Sequence, residues 1–114
     1  MTRVLAAEFT DRKIRVNAVS PGPIETPIHR APGQTEEEFR VYADKVGSKV
    51  PAGRMGKPEE IAVAVAFLAS DNSSYMLGAE IAVDGGLGGA LTMLLNDHLC
   101  VRTVVHVAAQ IPLC

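Results

Sequence analysis

Apolar positions fall into blocks whose spacing changes along the chain. Within residues 1–12, Val4, Leu5 and Phe9 recur at helical spacing, and Asp11-Arg12-Lys13 forms a polar exit, which predicts a short helix. Residues 14–20, IRVNAVS, are mostly apolar and β-branched, the pattern of a strand buried on both faces, and Pro21-Gly22-Pro23 stops it. Residues 24–33 carry Pro27 and Pro32 and read as a loop. Thr35-Glu36-Glu37-Glu38 is a capping box: the threonine hydroxyl can accept from the backbone three residues on, and Glu38 can reach back. The helix it opens places Phe39, Tyr42, Ala43 and Val46 on one face. Residues 47–57 are irregular. Pro58 then starts a second long helix, with Glu59 and Glu60 at its positive dipole end. Its body, residues 61–69, is apolar almost all round, which predicts cover on more than one side. A polar turn over 70–74 and a strand over 79–83 follow, and Asp84-Gly85-Gly86 ends that strand.

Helix, strand, helices, strand is the order of an α/β unit: two parallel strands joined by a right-handed crossover. A parallel pair needs layers on both faces and further strands beside it, so the predicted architecture is an incomplete part of a parallel sheet. Residues 92–114 stand apart as an apolar tail. They hold both cysteines, two of the three histidines and, of the charged residues, only Asp97 and Arg102. Within the tail, residues 100–107 suit either a strand or the continuation of a helix from Met93. Its apolar side chains would favour aggregation where exposed.

Composition narrows the functional classes. The chain has 114 residues, 47% hydrophobic and only 4% aromatic, within the size of one domain and with few large core anchors. Its net charge of −2 comes with no basic stripe for nucleic acid and no polybasic arm for anionic lipid. No apolar run approaches the about 20 residues of a membrane span. Glu8 interrupts the N-terminal block too early for a secretory leader, and Cys100 and Cys114 make no disulfide framework, so the cytoplasm is the expected compartment. His98, Cys100, His106 and Cys114 have spacings that match no common zinc pattern, and no metal site is assigned.

Three stretches, in order, carry a resemblance. Residues 14–27 (IRVNAVSPGPIETP) resemble the sixth strand and following cofactor loop of short-chain dehydrogenases/reductases (SDRs). Residues 51–62 (PAGRMGKPEEIA) resemble the entry to that family's penultimate helix. Residues 70–86, through GAEIAVDGG, resemble its last strand and closing turn. The resemblance runs from about Thr2 to Leu91, and it implies the C-terminal portion of a Rossmann-type sheet over residues 1–91 with an unrelated tail over 92–114.

That resemblance implies NAD or NADP as cofactor and hydride transfer between a small-molecule carbonyl and an alcohol. Residues 21–26 leave the carboxyl end of a strand, where α/β sheets place ligands. Pro21 and Gly22 would shape the loop, the Ile24 backbone would pair with the nicotinamide carboxamide, and the Thr26 hydroxyl would contact the nicotinamide or phosphate end. Phe39, Tyr42 and Val46 would face a substrate pocket or simply pack, and His29 could move a proton or simply be solvated.

The family's chemistry uses a tyrosine as acid/base and a lysine four residues later, which lie on one helix face. In this chain Tyr42 is followed by Lys45 and Tyr75 by Ala79, so neither makes that pair and no catalytic residue is assigned. The glycines from Gly85 to Gly89 are no phosphate loop. Read from Gly86, G-x-G-x-x-G requires glycine where Leu91 stands, and no capped helix is predicted to follow. The expectation is therefore a fragment of an NAD(P)-dependent oxidoreductase, inactive in isolation. The alternative is a non-catalytic module that packs on a full-length SDR subunit, or on itself as a homo-oligomer, through residues 58–86.

Overall fold

A computed structural model describes residues 1–88 and 105–110. Helix α1 spans Thr2–Thr10, strand β1 Ile14–Pro21, helix α2 Glu36–Gly47, helix α3 Pro58–Ala69, strand β2 Glu80–Val83 and strand β3 Val105–Gln110. Single 3-10 turns lie at Pro27–His29 and Asp71–Ser73.

The elements start and stop for local reasons. Thr35 accepts from Glu38 N at 3.2 Å and donates its own N–H to Glu38 Oε2 at 2.8 Å, so the expected capping box opens α2. Pro58 occupies the first turn of α3, and Glu60 accepts the Lys57 backbone N–H at 2.8 Å. The short link from α1 to β1 turns on Lys13, which takes the left-handed conformation at φ 57°.

β1 and β2 run parallel, with Ala18 opposite Glu80 and Pro21 opposite Val83, as the sequence order predicts. The sheet has a third member that the sequence left undecided. β3, from the tail, pairs antiparallel along the other edge of β1, with Val19 opposite Val105 and Ile14 opposite Gln110. The order is β2-β1-β3, so β1 is central and the sheet is mixed. The tail is thus tied into the sheet at 105–110; the remainder of the expected 92–114 segment, with His98, Cys100 and Cys114, lies outside the described residues.

β1 is buried from Arg15 to Ser20, as its apolar run predicts. Arg15, Asn17 and Val19 share one face by alternation. There Val19, Leu68 of α3 and Val107 of β3 form the core, with Ile61, Val65 and Ile81 packed round them. On the opposite face lies α1, whose Ala6 is buried and whose Thr2 hydroxyl is 3.1 Å from His106 Nε2. Of the three apolar residues at helical spacing, Val4 points outward, 69% exposed. The small Ala6 takes the contact because α1 approaches closely at Gly78, where a Cβ would come within 3.3 Å of Arg3 Cα.

Two buried polar side chains tie the sheet to its surroundings. Arg15, fully buried, donates to the Leu68, Ser70 and Ser73 carbonyls at 3.0 Å each and to Ser73 Oγ at 2.8 Å. It closes the C-terminal end of α3, where the carbonyls lack helical partners and the dipole favours a cation. Asn17 donates to Met76 O at 2.8 Å and accepts from Ala79 N at 3.0 Å, which sets the register at which β2 enters the sheet.

Helix α3 departs from expectation. Only Leu68 is buried, while Val63 is 70% and Phe67 39% exposed. The sheet covers one side of the helix, and within the chain's described residues an apolar face is left open.

Candidate functional site

Parallel pairing brings the carboxyl ends of β1 and β2 to one end of the sheet, so residues 21–26 and the turn at 84–86 emerge side by side. Gly22 N donates to Val83 O at 3.0 Å and extends the pairing one step beyond Pro21. A Cβ on Gly22 would stand 2.6 Å from Asp84 Cα and 2.9 Å from Asp84 Cβ. Glycine is therefore required at this position by the neighbouring turn. Pro21 itself is the last residue of β1, one residue beyond the predicted strand end.

Further out, Ile24 forms an isolated parallel bridge with Gly56. Its hydrogen bonds run from Gly56 N to Pro23 O and from Glu25 N to Gly56 O, both at 2.9 Å. In this geometry the N–H and C=O of Ile24 take no part in the bridge and face away from it. Thr26 precedes the 3-10 turn and makes no cap hydrogen bond with its half-buried hydroxyl. All four predicted positions thus lie in one short loop at the strand end, and two present backbone or hydroxyl groups not spent on the fold.

The segment 50–56 forms the facing wall. Val50 and Met55 are buried, and Ala52 N donates to Gly85 O at 3.0 Å. Gly85, at φ 63°, passes so close that a Cβ would meet Val50 Cγ1 at 2.7 Å. Between the loop, this wall and the turn lies a cavity of about 60 Å³, lined by Ile24, Val50, Gly56 and Val83 among others. That volume suits a water or two, far below the several hundred cubic ångströms of a typical cofactor site. At its side Arg54 holds Glu60 through paired contacts of 2.8 and 2.7 Å. The Arg54 guanidinium and then the Lys57 N–H bring the Glu60 carboxyl down to about 2. The same pairing raises the Arg54 guanidinium.

Within the described residues Asp84 ties the turn after β2 together: its carboxylate accepts from Gly86 N at 2.9 Å and Gly88 N at 2.8 Å. These two glycine N–H groups are thus taken up by Asp84.

The substrate-segment candidates gather in a separate cluster. The rings of His29 and Tyr42 lie 6.1 Å apart and those of Phe39 and Tyr42 6.3 Å apart. Phe39 is buried under Arg30, whose guanidinium sits 4.3 Å from the ring centroid and pairs with Glu36 at 2.7 Å. Hydrogen bonding to Arg30 lowers the Glu36 carboxyl, and the Thr35 backbone N–H lowers that of Glu38. Tyr75 is 99% exposed and touches nothing in the site. Among the described residues no group of His, Cys, Asp and Glu side chains could hold a metal ion, and no helix is long and apolar enough to cross a membrane.

A family model decides the kinship: the one described as enoyl-(acyl carrier protein) reductase matches residues 1–88. The chain belongs to the short-chain dehydrogenase/reductase family. It is 49% identical over 87 residues to a 3-oxoacyl-(acyl-carrier-protein) reductase of Thermotoga maritima, covering 76% of this chain and 33% of that protein. It is 44% identical to the 3β-hydroxysteroid dehydrogenase 1 of Eggerthella lenta, covering 76% of this chain and 32% of that one. Among solved structures, an SDR of unknown function from Caenorhabditis elegans, crystallised with cofactor, superposes with a TM-score of 0.70 at 37% identity over 84% of this chain and 37% of its own. One from Agrobacterium tumefaciens, described as a 2-deoxy-d-gluconate 3-dehydrogenase with bound NADP, gives 0.62 at 38% identity over 77% of this chain and 34% of its own. The SDR chain thus spans about a third of the length of the curated relatives it matches, and its sheet is an incomplete Rossmann type.

Proposed function

We propose that this SDR chain is the nicotinamide-side end of an NAD(P)-dependent oxidoreductase and does not itself transfer hydride. One observation carries the reading: the loop after β1 leaves the Ile24 N–H and C=O outside its bridge to Gly56. A donor and an acceptor side by side on one residue suit a primary carboxamide, which needs one of each. In this reading Pro21 and Gly22 hold the loop against the turn at Asp84, Ile24 pairs with the carboxamide, and the Thr26 hydroxyl meets the nicotinamide or phosphate end. The bound nicotinamide would supply the hydride donor or acceptor. The chain supplies orientation only. The Tyr-x-x-x-Lys pair that would move the proton is not in its sequence, and the 60 Å³ cavity holds no dinucleotide.

The reading is tested by adding nicotinamide mononucleotide to the isotopically labelled chain and following its amide resonances. Shifts confined to residues 22–26 and their neighbours at Gly56 are expected, with weak, millimolar saturation. Shifts centred elsewhere, or none at saturating ligand, would remove the loop's assigned role.

A second reading is favoured by the open face of α3, with Val63 70% and Phe67 39% exposed. An apolar helix face next to a sheet edge suits packing on a second SDR subunit, full-length or identical, through residues 58–86. Val63→Lys should abolish co-purification with such a subunit and leave the fold intact. Retained co-purification would exclude this surface.

A further inference from the structure

β1 is a central strand, buried on both faces, yet one of its two edges is closed only by the tail. Residues 14–19 pair antiparallel with Val105–Gln110, and no other described strand reaches that edge. β3 is held by few side chains. Within 105–109 only Val107, 8% exposed, is buried, set opposite Asn17 and against Val19 and Leu68. Val105 is 39% exposed, while His106 and Ala108 are open to solvent. The attachment is therefore mostly the backbone ladder, with Val107 as its apolar anchor and one exposed side-chain contact from His106 Nε2 to the Thr2 hydroxyl at 3.1 Å, the mode by which sheet edges take up extended peptides. The strand, VHVAAQ, is uncharged and contains no proline, so it lacks the features by which edges refuse a partner. Residues 89–104 join it to the rest of the chain, which makes its pairing a tethered, intramolecular event.

We propose that the edge of β1 at residues 14–19 is a strand-acceptor site, filled here by the chain's own Val105–Gln110 and able to take the same strand from a second copy of the chain. Exchange preserves every contact, since the incoming strand is identical in sequence, and so needs only release of the resident one. The proposal does not depend on the nicotinamide reading of the loop.

The test uses the full chain and its double variant His106→Pro/Val107→Pro. Successive N–H groups of a strand point to opposite edges, so two adjacent prolines remove one ladder donor whichever way β3 is turned. The probe is a fluorescent peptide of residues 103–112, with a scrambled peptide of the same composition as control. Because the tethered strand competes at millimolar effective concentration, the variant should bind the probe at least about 10-fold more tightly than the natural chain. Amides of residues 14–19 should exchange faster in the variant and regain protection on peptide addition. If the variant loses its fold, recovery of its far-ultraviolet circular dichroism by the peptide supports the site. Failure to bind or recover overturns it, as does equal binding of the scrambled peptide or undiminished protection of 14–19 in the variant alone.

Discussion

Arg15 offers the sharpest energetic test of how the last helix is fastened to the sheet. The side chain is fully buried, and its guanidinium makes four hydrogen bonds to oxygens at the end of α3, with none to a carboxylate among the described residues. In Arg15→Met the volume is largely kept and all four bonds are lost. Hydrogen bonds from a charged donor are worth about 1.5–3 kcal/mol each, but they are not additive here. The oxygens keep other donors: Ser73 O accepts Met76 N–H at 2.9 Å, Ser70 O accepts Ser73 N–H at 3.3 Å, and the single Ser73 hydroxyl proton can serve Leu68 O at 2.9 Å. Removing Arg15 also removes its own cost, a buried charge whose Nε has no hydrogen-bond partner. Weighing these, the net loss should be about 2–3 kcal/mol, or roughly 10–20 °C in Tm for a domain of this size. Urea denaturation followed by far-ultraviolet circular dichroism measures it. A cycle with Ser73→Ala should show about 1–2 kcal/mol of coupling between the two positions. A loss below about 0.5 kcal/mol, or no coupling, would refute the claim that this contact fastens α3.

Three further outcomes follow from other contacts. Gly22→Ala places a Cβ 2.6 Å from Asp84 Cα. It should cost about 1–3 kcal/mol as the strand ends are forced apart, read as a lower urea midpoint with lost amide protection at position 22. Thr35→Ala removes half of a capping box, with an expected loss of about 1 kcal/mol and faster amide exchange in the first turn of α2. Glu60, drawn from 4.5 down to about 2, has its stabilising effect in full above pH 4.5 and loses it as pH falls through 2. Wild type should therefore exceed Glu60→Gln in stability at neutral pH, and the two urea midpoints should converge as the pH is lowered toward 2; a gap that persists there would contradict the pairing.

What the sequence made legible was local. The capping box at Thr35 and Glu38, the proline start of α3 and the strand over 14–20 are each written in a few consecutive residues, and each stands where the pattern put it. The parallel pairing followed from element order, and the loop with Pro21, Gly22, Ile24 and Thr26 from its place at a strand end. What stayed hidden depended on partners distant in sequence. Whether residues 105–110 become a strand depends on β1's open edge, which no periodicity reveals. Gly22 reads as a loop glycine until Asp84 is seen against it. One signal was available: Arg15 and Asn17 interrupt an otherwise apolar strand two residues apart, which places both on one buried face and demands partners for each. The open face of α3 was legible as apolar, but how much of it the sheet would cover depends on tertiary packing that no local pattern records.

The most direct measurement is a hydride-transfer assay on the purified full chain, following nicotinamide absorbance with NAD(H) and NADP(H) against a panel of alcohols and ketones. A polypeptide whose sequence has no Tyr-x-x-x-Lys pair, and whose cavity beside the loop after β1 has room for a water or two, should give no rate above a protein-free blank. A reproducible, cofactor-dependent rate that follows the chain through purification would contradict the account.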